Sequence, residues 1–193
     1  MRGGTERAVS NLNILIEEGA KFKTILADPP WSYSNKATRS ASNKHYKTMT
    51  LDDMASLPIA ALADNQSHLH LWTTNAFIFD CKRIIEAWGF EYKSCLIWAK
   101  PQMGIGNYWR VSHEYLLFAN RGNLRFQDHS EMSWVICNRT KHSSKPEAIR
   151  EKIERVSLGP YLELFARETY PGWVSWGNEI KKNMFNEGAF DGR

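Results

Sequence analysis

The chain has 193 residues, a formal net charge of +4 and a pI of about 8.9, with 42% hydrophobic and 24% charged residues. This balance is ordinary for a single globular domain, and the modest positive charge permits a polyanionic partner without requiring one. Cys81, Cys95 and Cys137 are odd in number and lack any CxxC spacing, which argues against a disulfide framework or a zinc site and for a reduced, intracellular, cytoplasmic setting. No apolar run approaches the ~20 residues of a membrane span and no signal peptide opens the chain, so no membrane partner is expected.

In chain order, Met1 to Ser10 is polar and mixed in charge and is expected to be a frayed extension. Asn11 to Ile16 is a short apolar segment before the turn at Glu17-Glu18-Gly19. The first clear strand is Thr24-Ile25-Leu26-Ala27, which stops at Asp28-Pro29-Pro30-Trp31 because proline cannot continue a ladder. An acid, two rigid residues and an aromatic therefore stand at the carboxyl end of a strand, where open α/β sheets bind ligands. The prolines remove two backbone donors and leave fixed carbonyls expected to point outward as acceptors. Such a group suits a flat ligand that donates N–H bonds, such as an amino-purine. The plainer alternatives are that Asp28 is a turn acid and Trp31 a core residue.

Ser32 to Lys47 is a long polar stretch whose position beside Asp28 suggests a substrate lid, against the alternative of a surface loop. Thr50 to Asp53 reads as a capping-box variant opening a helix to about Leu62, with a break at Pro58. Ser67 to Thr73 alternates as a strand. Asn75 to Trp88 is expected to be helical, with Phe77, Ile78, Cys81, Ile84, Ile85 and Trp88 on one face and Gly89 as its stop. Phe90 to Trp98 is a strand, Lys100 to Ser112 a loop, and His113 to Ala119 a strand turned at Asn120 to Asn123. Leu124 to Ser133 is irregular, and Trp134 to Cys137 is a short strand. A helix from Pro146 to about Val156 follows, then a strand over Tyr161 to Ala166, a loop over Arg167 to Gly177, and a loose tail from Lys181.

Strands alternating with helices give an α/β domain with a mostly parallel, doubly wound sheet. In that arrangement the loops beginning at Asp28, Lys100 and Arg167 converge on one edge, bringing Asp28, Tyr46, Trp109, Arg110, Arg167, Asn178 and Glu179 toward a common cleft. His142 and Lys145 precede a helix start, which favours an anionic group there. The alternatives are that Lys145 is a solvated helix-start lysine and Arg110 a plain surface charge. His68 and His70 share a strand face, but no cluster around them suggests a metal.

The blocks in which these residues fall resemble the MT-A70 family of S-adenosylmethionine-dependent adenine N6-methyltransferases. They are Asp28-Pro29-Pro30-Trp31, His45-Tyr46-Lys47-Thr48-Met49, His142-Ser143-Ser144-Lys145-Pro146-Glu147, Glu163 to Arg167, Gly172-Trp173, and Trp176-Gly177-Asn178-Glu179. They occur in family order, and the resemblance is to small prokaryotic and phage members. It implies a Rossmann-like methyltransferase fold over residues 21–180, with the catalytic motif before the cofactor motif and a tail over 181–193. It also implies roles. Asp28 and the Pro29 carbonyl, within the catalytic tetrapeptide completed by Pro30 and Trp31, accept from the target amino group. Trp31 and Tyr46 hold the base; Trp109 and Arg110 are expected to contact substrate from their place in the Lys100 to Ser112 loop alone, not from the resemblance. Asp28, His142, Lys145, Phe165, Arg167, Asn178 and Glu179 bind S-adenosylmethionine, and no metal is needed. Glu168-Thr169-Tyr170 departs from the Pro-His-Asn of eukaryotic members, so no role is carried onto it. DNA is favoured over RNA as substrate, a silent nucleic-acid-binding subunit is the competing class, and a second copy or partner subunit is left open.

Overall fold

The computed structural model describes residues 6–32, 48–104, 106, 108–138, 145–177 and 180. Its strands are β1 (Arg7–Val9), β2 (Phe22–Ala27), β3 (Ala63–Thr73), β4 (Glu91–Ala99), β5 (His113–Arg121), β6 (Trp134–Ile136), β7 (Tyr161–Leu164) and β8 (Trp173–Trp176). Its helices are α1 (Leu12–Glu17), α2 (Leu51–Ala55), α3 (Ile59–Leu62), α4 (Cys81–Ala87) and α5 (Glu147–Val156). The strands form one sheet in the order β1-β8-β7-β2-β3-β5-β4-β6. Every pairing is parallel except the two made by β5, which runs against β3 and β4.

The strand sequences explain why both faces are covered. Leu69 and Leu71 of β3, with Ile25 and Ala27 of β2, point to a core closed by Leu12 and Leu15 of α1, Met54 of α2, Ile59 and Leu62 of α3, and Ile84 and Ile85 of α4. The alternate positions Leu26 and Trp72, with Trp98, Leu116 and Trp173, face Ile149 and Ile153 of α5. Side chains alternate across a strand, so a run that is apolar throughout must be buried on both sides. Five of the eight tryptophans, Trp31, Trp72, Trp88, Trp98 and Trp173, are buried core residues.

The sheet reverses its winding between β2 and β7. From β2 the chain crosses to β3 on one side, and from β7 it crosses to β8 on the other. That reversal opens a crevice at the carboxyl ends of β2 and β7, where doubly wound sheets bind their ligands.

Four sequence expectations are corrected. Arg7–Val9 is not a frayed end: it is an edge strand on β8, with Val9 buried and Arg7 in a two-pronged ion pair with Glu18 at 2.7 Å. The expected helix from Asn75 is helical only over Cys81–Ala87; residues 75–80 are turns, because Phe77 leaves the helix path to stack on Trp31 at 5.0 Å. The strand at Tyr161 ends at Leu164 rather than Ala166, since Phe165 takes φ 63 and the ladder cannot pass a left-handed residue. The supposed loop over Arg167 to Gly177 contains β8, whose Trp-Val-Ser-Trp alternation was hidden by the glycines on either side. The break at Pro58 is as expected: it separates α2, capped by Thr50 and Asp53 in a reciprocal capping box, from α3.

Candidate active site

Asp28 directly follows β2, and its amide still reaches the ladder of β7 by donating to the Leu164 carbonyl at 3.4 Å. The prolines then stop the strand, but their carbonyls do not point into open space as the sequence suggested. The Pro29 carbonyl accepts from the Trp31 amide at 2.9 Å, and the Pro30 carbonyl accepts from Met49 at 3.1 Å. The tetrapeptide is thus folded back and tied to the chain that precedes α2. Trp31 is 8% exposed; its indole N–H donates to the Trp72 carbonyl at 3.3 Å and its ring stacks on Phe77. It serves as the floor that fixes the turn after Asp28.

The carboxylate of Asp28 belongs to a chain of four alternating charges. Lys145, just before α5, places Nζ 2.7 Å from Asp28 Oδ2 and 3.4 Å from Glu114 Oε2. Glu114 is the second residue of β5, and its other oxygen accepts from Lys100, which follows β4. Both ammonium groups sit over indoles, Lys145 at 5.2 Å from the Trp72 ring and Lys100 at 4.2 Å from that of Trp98. The side chains of Asp28, Lys145, Glu114 and Lys100 are 24%, 22%, 18% and 9% exposed, so water screens them poorly. Burial pulls the Lys145 ammonium down, but the Asp28 and Glu114 carboxylates outweigh it and hold it above the ordinary lysine value, while Arg167 opposes them. Burial pushes Glu114 up, and the charges and hydrogen bonds of Lys145 and Lys100 bring it below the ordinary value. The quartet is formally neutral, which is how four buried charges persist.

On the other side of the crevice, Phe165 meets Trp176 ring-to-edge at 5.3 Å, and the Ala166 amide donates to the Trp176 carbonyl at 2.9 Å. Gly177 lets the ends of β7 and β8 approach this closely: a Cβ there would fall on the Ala166 carbonyl oxygen. Arg167 is half-buried and close enough to act on Lys145. Asp28, Lys145, Phe165 and Arg167 are therefore brought to one edge. Trp109 and Arg110 are not part of the charge chain: Trp109 is 90% exposed, and Arg110 turns back to donate to the Gly106 carbonyl at 3.1 Å. Tyr46, His142, Asn178 and Glu179 lie outside the described residues. Glu114 and Lys100 were missed by the sequence reading. Glu114 begins a strand rather than ending one, and only the reversal of β5 brings a strand start to the edge where the others finish.

A mostly parallel, doubly wound eight-stranded sheet with this crevice is a Rossmann-like methyltransferase fold. The model of the family described as MT-A70 matches residues 22–179, and the chain belongs to that family. Membership makes it an enzyme of the adenine N6-methyltransferase class, whose members in general use S-adenosylmethionine. Among its relatives is the Type II methyltransferase M.MunI of a Mycoplasma species, 28% identical over 185 residues, which cover 84% of this chain and 79% of that protein. The catalytic subunit METTL3 of a human N(6)-adenosine-methyltransferase is 30% identical over 173 residues, 83% of this chain and 28% of its own length. The human N(6)-adenine-specific methyltransferase METTL4 is 29% identical over 199 residues, 90% of this chain and 40% of its own length. The chain thus spans less than half of either human protein. No helix among the described residues is long and apolar enough to cross a membrane.

Proposed function

We propose that the chain transfers a methyl group from S-adenosylmethionine to the N6 amino group of adenine in DNA, inside the cell. The observation that carries the chemistry is the position of Asp28: a carboxylate at the switch-point crevice, on a turn made rigid by two prolines and the buried Trp31. What favours DNA over RNA is M.MunI, a relative of which this chain spans 79% and which is named a Type II methyltransferase.

The residues at the crevice fit the cofactor. A methionine-type carboxylate needs a cation, and Lys145 and Arg167 stand together at the crevice. An adenosine moiety needs an apolar wall, which the half-buried Phe165 supplies beside Trp176. Asn178 and Glu179 would take the ribose hydroxyls, and His142 would join Lys145. When bound, S-adenosylmethionine supplies an electrophilic methyl group on a sulfonium.

The residues of this chain then prepare the nucleophile. The adenine amino nitrogen is weak because its lone pair is delocalised into the ring. Asp28 accepts one of its hydrogens. The Pro29 carbonyl accepts the other through the lone pair not used by the Trp31 amide, since a carbonyl oxygen can take two donors. Two fixed acceptors draw the nitrogen toward a tetrahedral shape and positioning does the rest; as the N–CH3 bond forms and the S–CH3 bond breaks, S-adenosylhomocysteine is left, and the surplus amino proton leaves along the hydrogen bond to Asp28 and out to water. Tyr46, Trp109 and Arg110 contact the strand, and a base within a duplex must be flipped to reach Asp28.

The test is direct. The protein is incubated with labelled S-adenosylmethionine and matched DNA and RNA, followed by digestion to nucleosides. Label in N6-methyldeoxyadenosine is expected; label only in the ribonucleoside would overturn the DNA reading. Asp28→Ala should lower transfer by roughly 10²-fold or more while cofactor affinity by calorimetry changes only a few-fold, and full activity in that variant would refute the role of Asp28.

A further inference from the structure

We propose that Glu114 is a positioning residue of the transfer step: it offers the Lys145 ammonium a second place to rest, so that Asp28 can let go of the lysine and take the hydrogens of the amino group. The inference rests on the methyl-transfer reading above and adds to it a residue that lies in none of the sequence blocks.

The reason lies in a conflict within the site. Asp28 can accept from a substrate amino group only to the extent that its oxygens are not committed elsewhere, yet Lys145 donates to Oδ2 at 2.7 Å. Lys145 cannot simply withdraw. A buried ammonium and a buried carboxylate parted without replacement partners are both strongly disfavoured. Glu114 removes the obstacle. Its Oε2 is already 3.4 Å from the same Nζ, so less than an ångström of travel turns a long contact into a full ion pair. An ammonium has three donors, enough for Glu114 and a cofactor carboxylate together without Asp28.

The surroundings favour such a short move. Lys100 takes the other oxygen of Glu114 and fixes its orientation, and Lys100 is itself held over Trp98 at 4.2 Å. The Trp72 face lies under Nζ at 5.2 Å, a cushion that attracts a cation without binding it to one direction. Glu114 is the second residue of β5, paired opposite Trp98 of β4, so its carboxylate is carried by sheet rather than by loop. Arg167, the other cation near Lys145, repels it and cannot take the place of Glu114. The step involves no proton transfer and no bond breaking: an ammonium exchanges one carboxylate partner for another.

Two readouts test this. In the Glu114→Gln variant, kcat is expected to fall at least about tenfold, while affinity for S-adenosylhomocysteine by calorimetry stays within about threefold. Glu114→Asp should recover part of kcat. A purely structural role would instead lower thermal stability, affinity and kcat together, and that result, or a kcat within about threefold of the unsubstituted protein, would overturn the proposal. The second readout needs no turnover. With ¹⁵N-lysine labelling, the Lys145 Nζ resonance is followed while an adenine-containing oligonucleotide is added in the presence of S-adenosylhomocysteine. It should move in the unsubstituted protein and stay in place in Glu114→Gln; movement in both would overturn the proposal. An unsubstituted protein that moves Lys145 but forms no N6-methyladenine would instead count against the proposed reaction.

Discussion

His70 is a buried base that the fold keeps uncharged. Its Nε2 is 2.9 Å from Ser157 Oγ, which in turn is 2.8 Å from His68 Nδ1, and His68 Nε2 reaches the Leu124 carbonyl at 3.0 Å. Only one proton arrangement satisfies the whole chain. His70 donates to Ser157, Ser157 donates to His68, and His68 donates to the carbonyl, which fixes both rings as Nε2–H tautomers. Desolvation and then the neighbouring His68 push His70 down to about 3, and desolvation also lowers His68. The consequence for stability has a definite sign. Below about 6.5 the unfolded chain takes protons that the folded chain refuses, so stability present above that pH is lost as pH falls toward the folded value, by at most about 1.4 kcal/mol per pH unit for each ring. Urea midpoints measured at pH 7.5, 6.5 and 5.5 should fall across the lower interval, and the fall should be smaller in His70→Gln. Equal midpoints at all three would remove the effect. The same residue scale shows what a sequence can hide. The position of Asp28 was legible because two prolines after an apolar run can only end a strand. The burial of Trp31 was not, because Phe77, the ring that covers it, is 46 positions further on and was expected to lie in a helix.

The element that holds the second face of the sheet in place is α5. Its apolar stripe, Ile149, Ile153 and Val156, is read directly from the sequence, with Glu147 and Arg155 at the ends that suit the helix dipole. Less legible is how it is fastened to the strands below. Arg150 makes an ion pair with Glu163 of β7 at 2.8 Å, with both side chains 13% exposed. Its guanidinium lies 3.7 Å from the Tyr170 ring and 4.8 Å from that of Trp173, whose indole N–H donates to Glu154 at 2.8 Å. Desolvation pushes Glu163 up and Arg150 draws it part of the way back. Replacing Arg150 by Ala strands a buried carboxylate and should cost about 3–5 kcal/mol, whereas Arg150→Met with Glu163→Gln together should cost much less. Denaturant unfolding of the single and double variants checks this; equal losses would mean that packing on the two rings, not the ion pair, carries the contact. The pairing could not be read in advance, because Glu163 stands in a strand whose alternation only says that it faces away from Leu162 and Leu164.

Across the whole molecule, the plan of the sheet was legible and its margins were not. Alternating strands and helices, with loops after Ala27 and Ala99, indicate a parallel sheet with a ligand edge. The short outer strands β1 and β8 carry too few residues to be told from loop; β8 becomes a strand because β7 offers it an edge, and β1 because β8 does. Val9 is buried there and Arg7 holds Glu18 beyond the end of α1. Removal of residues 1–9 should therefore lower stability by about 1.5–3 kcal/mol, the burial of one aliphatic side chain, where removal of residues 1–5 should not lower it as much. Thermal unfolding of the two truncated proteins distinguishes these, and equal melting temperatures would assign β1 no weight.

The reversal of β5 has a practical use. Because this strand starts beside the charge chain, it finishes at the opposite rim, where Arg121 pairs with Ser67 near the beginning of β3. Gly122 must stay, since its φ is +66 and a Cβ would come 2.5 Å from the Asn65 carbonyl oxygen, but Asn123 beyond it is exposed. A linker, dye or surface anchor grafted after Asn123 would hold the enzyme by its back, with the crevice turned outward toward any polymer threaded past it.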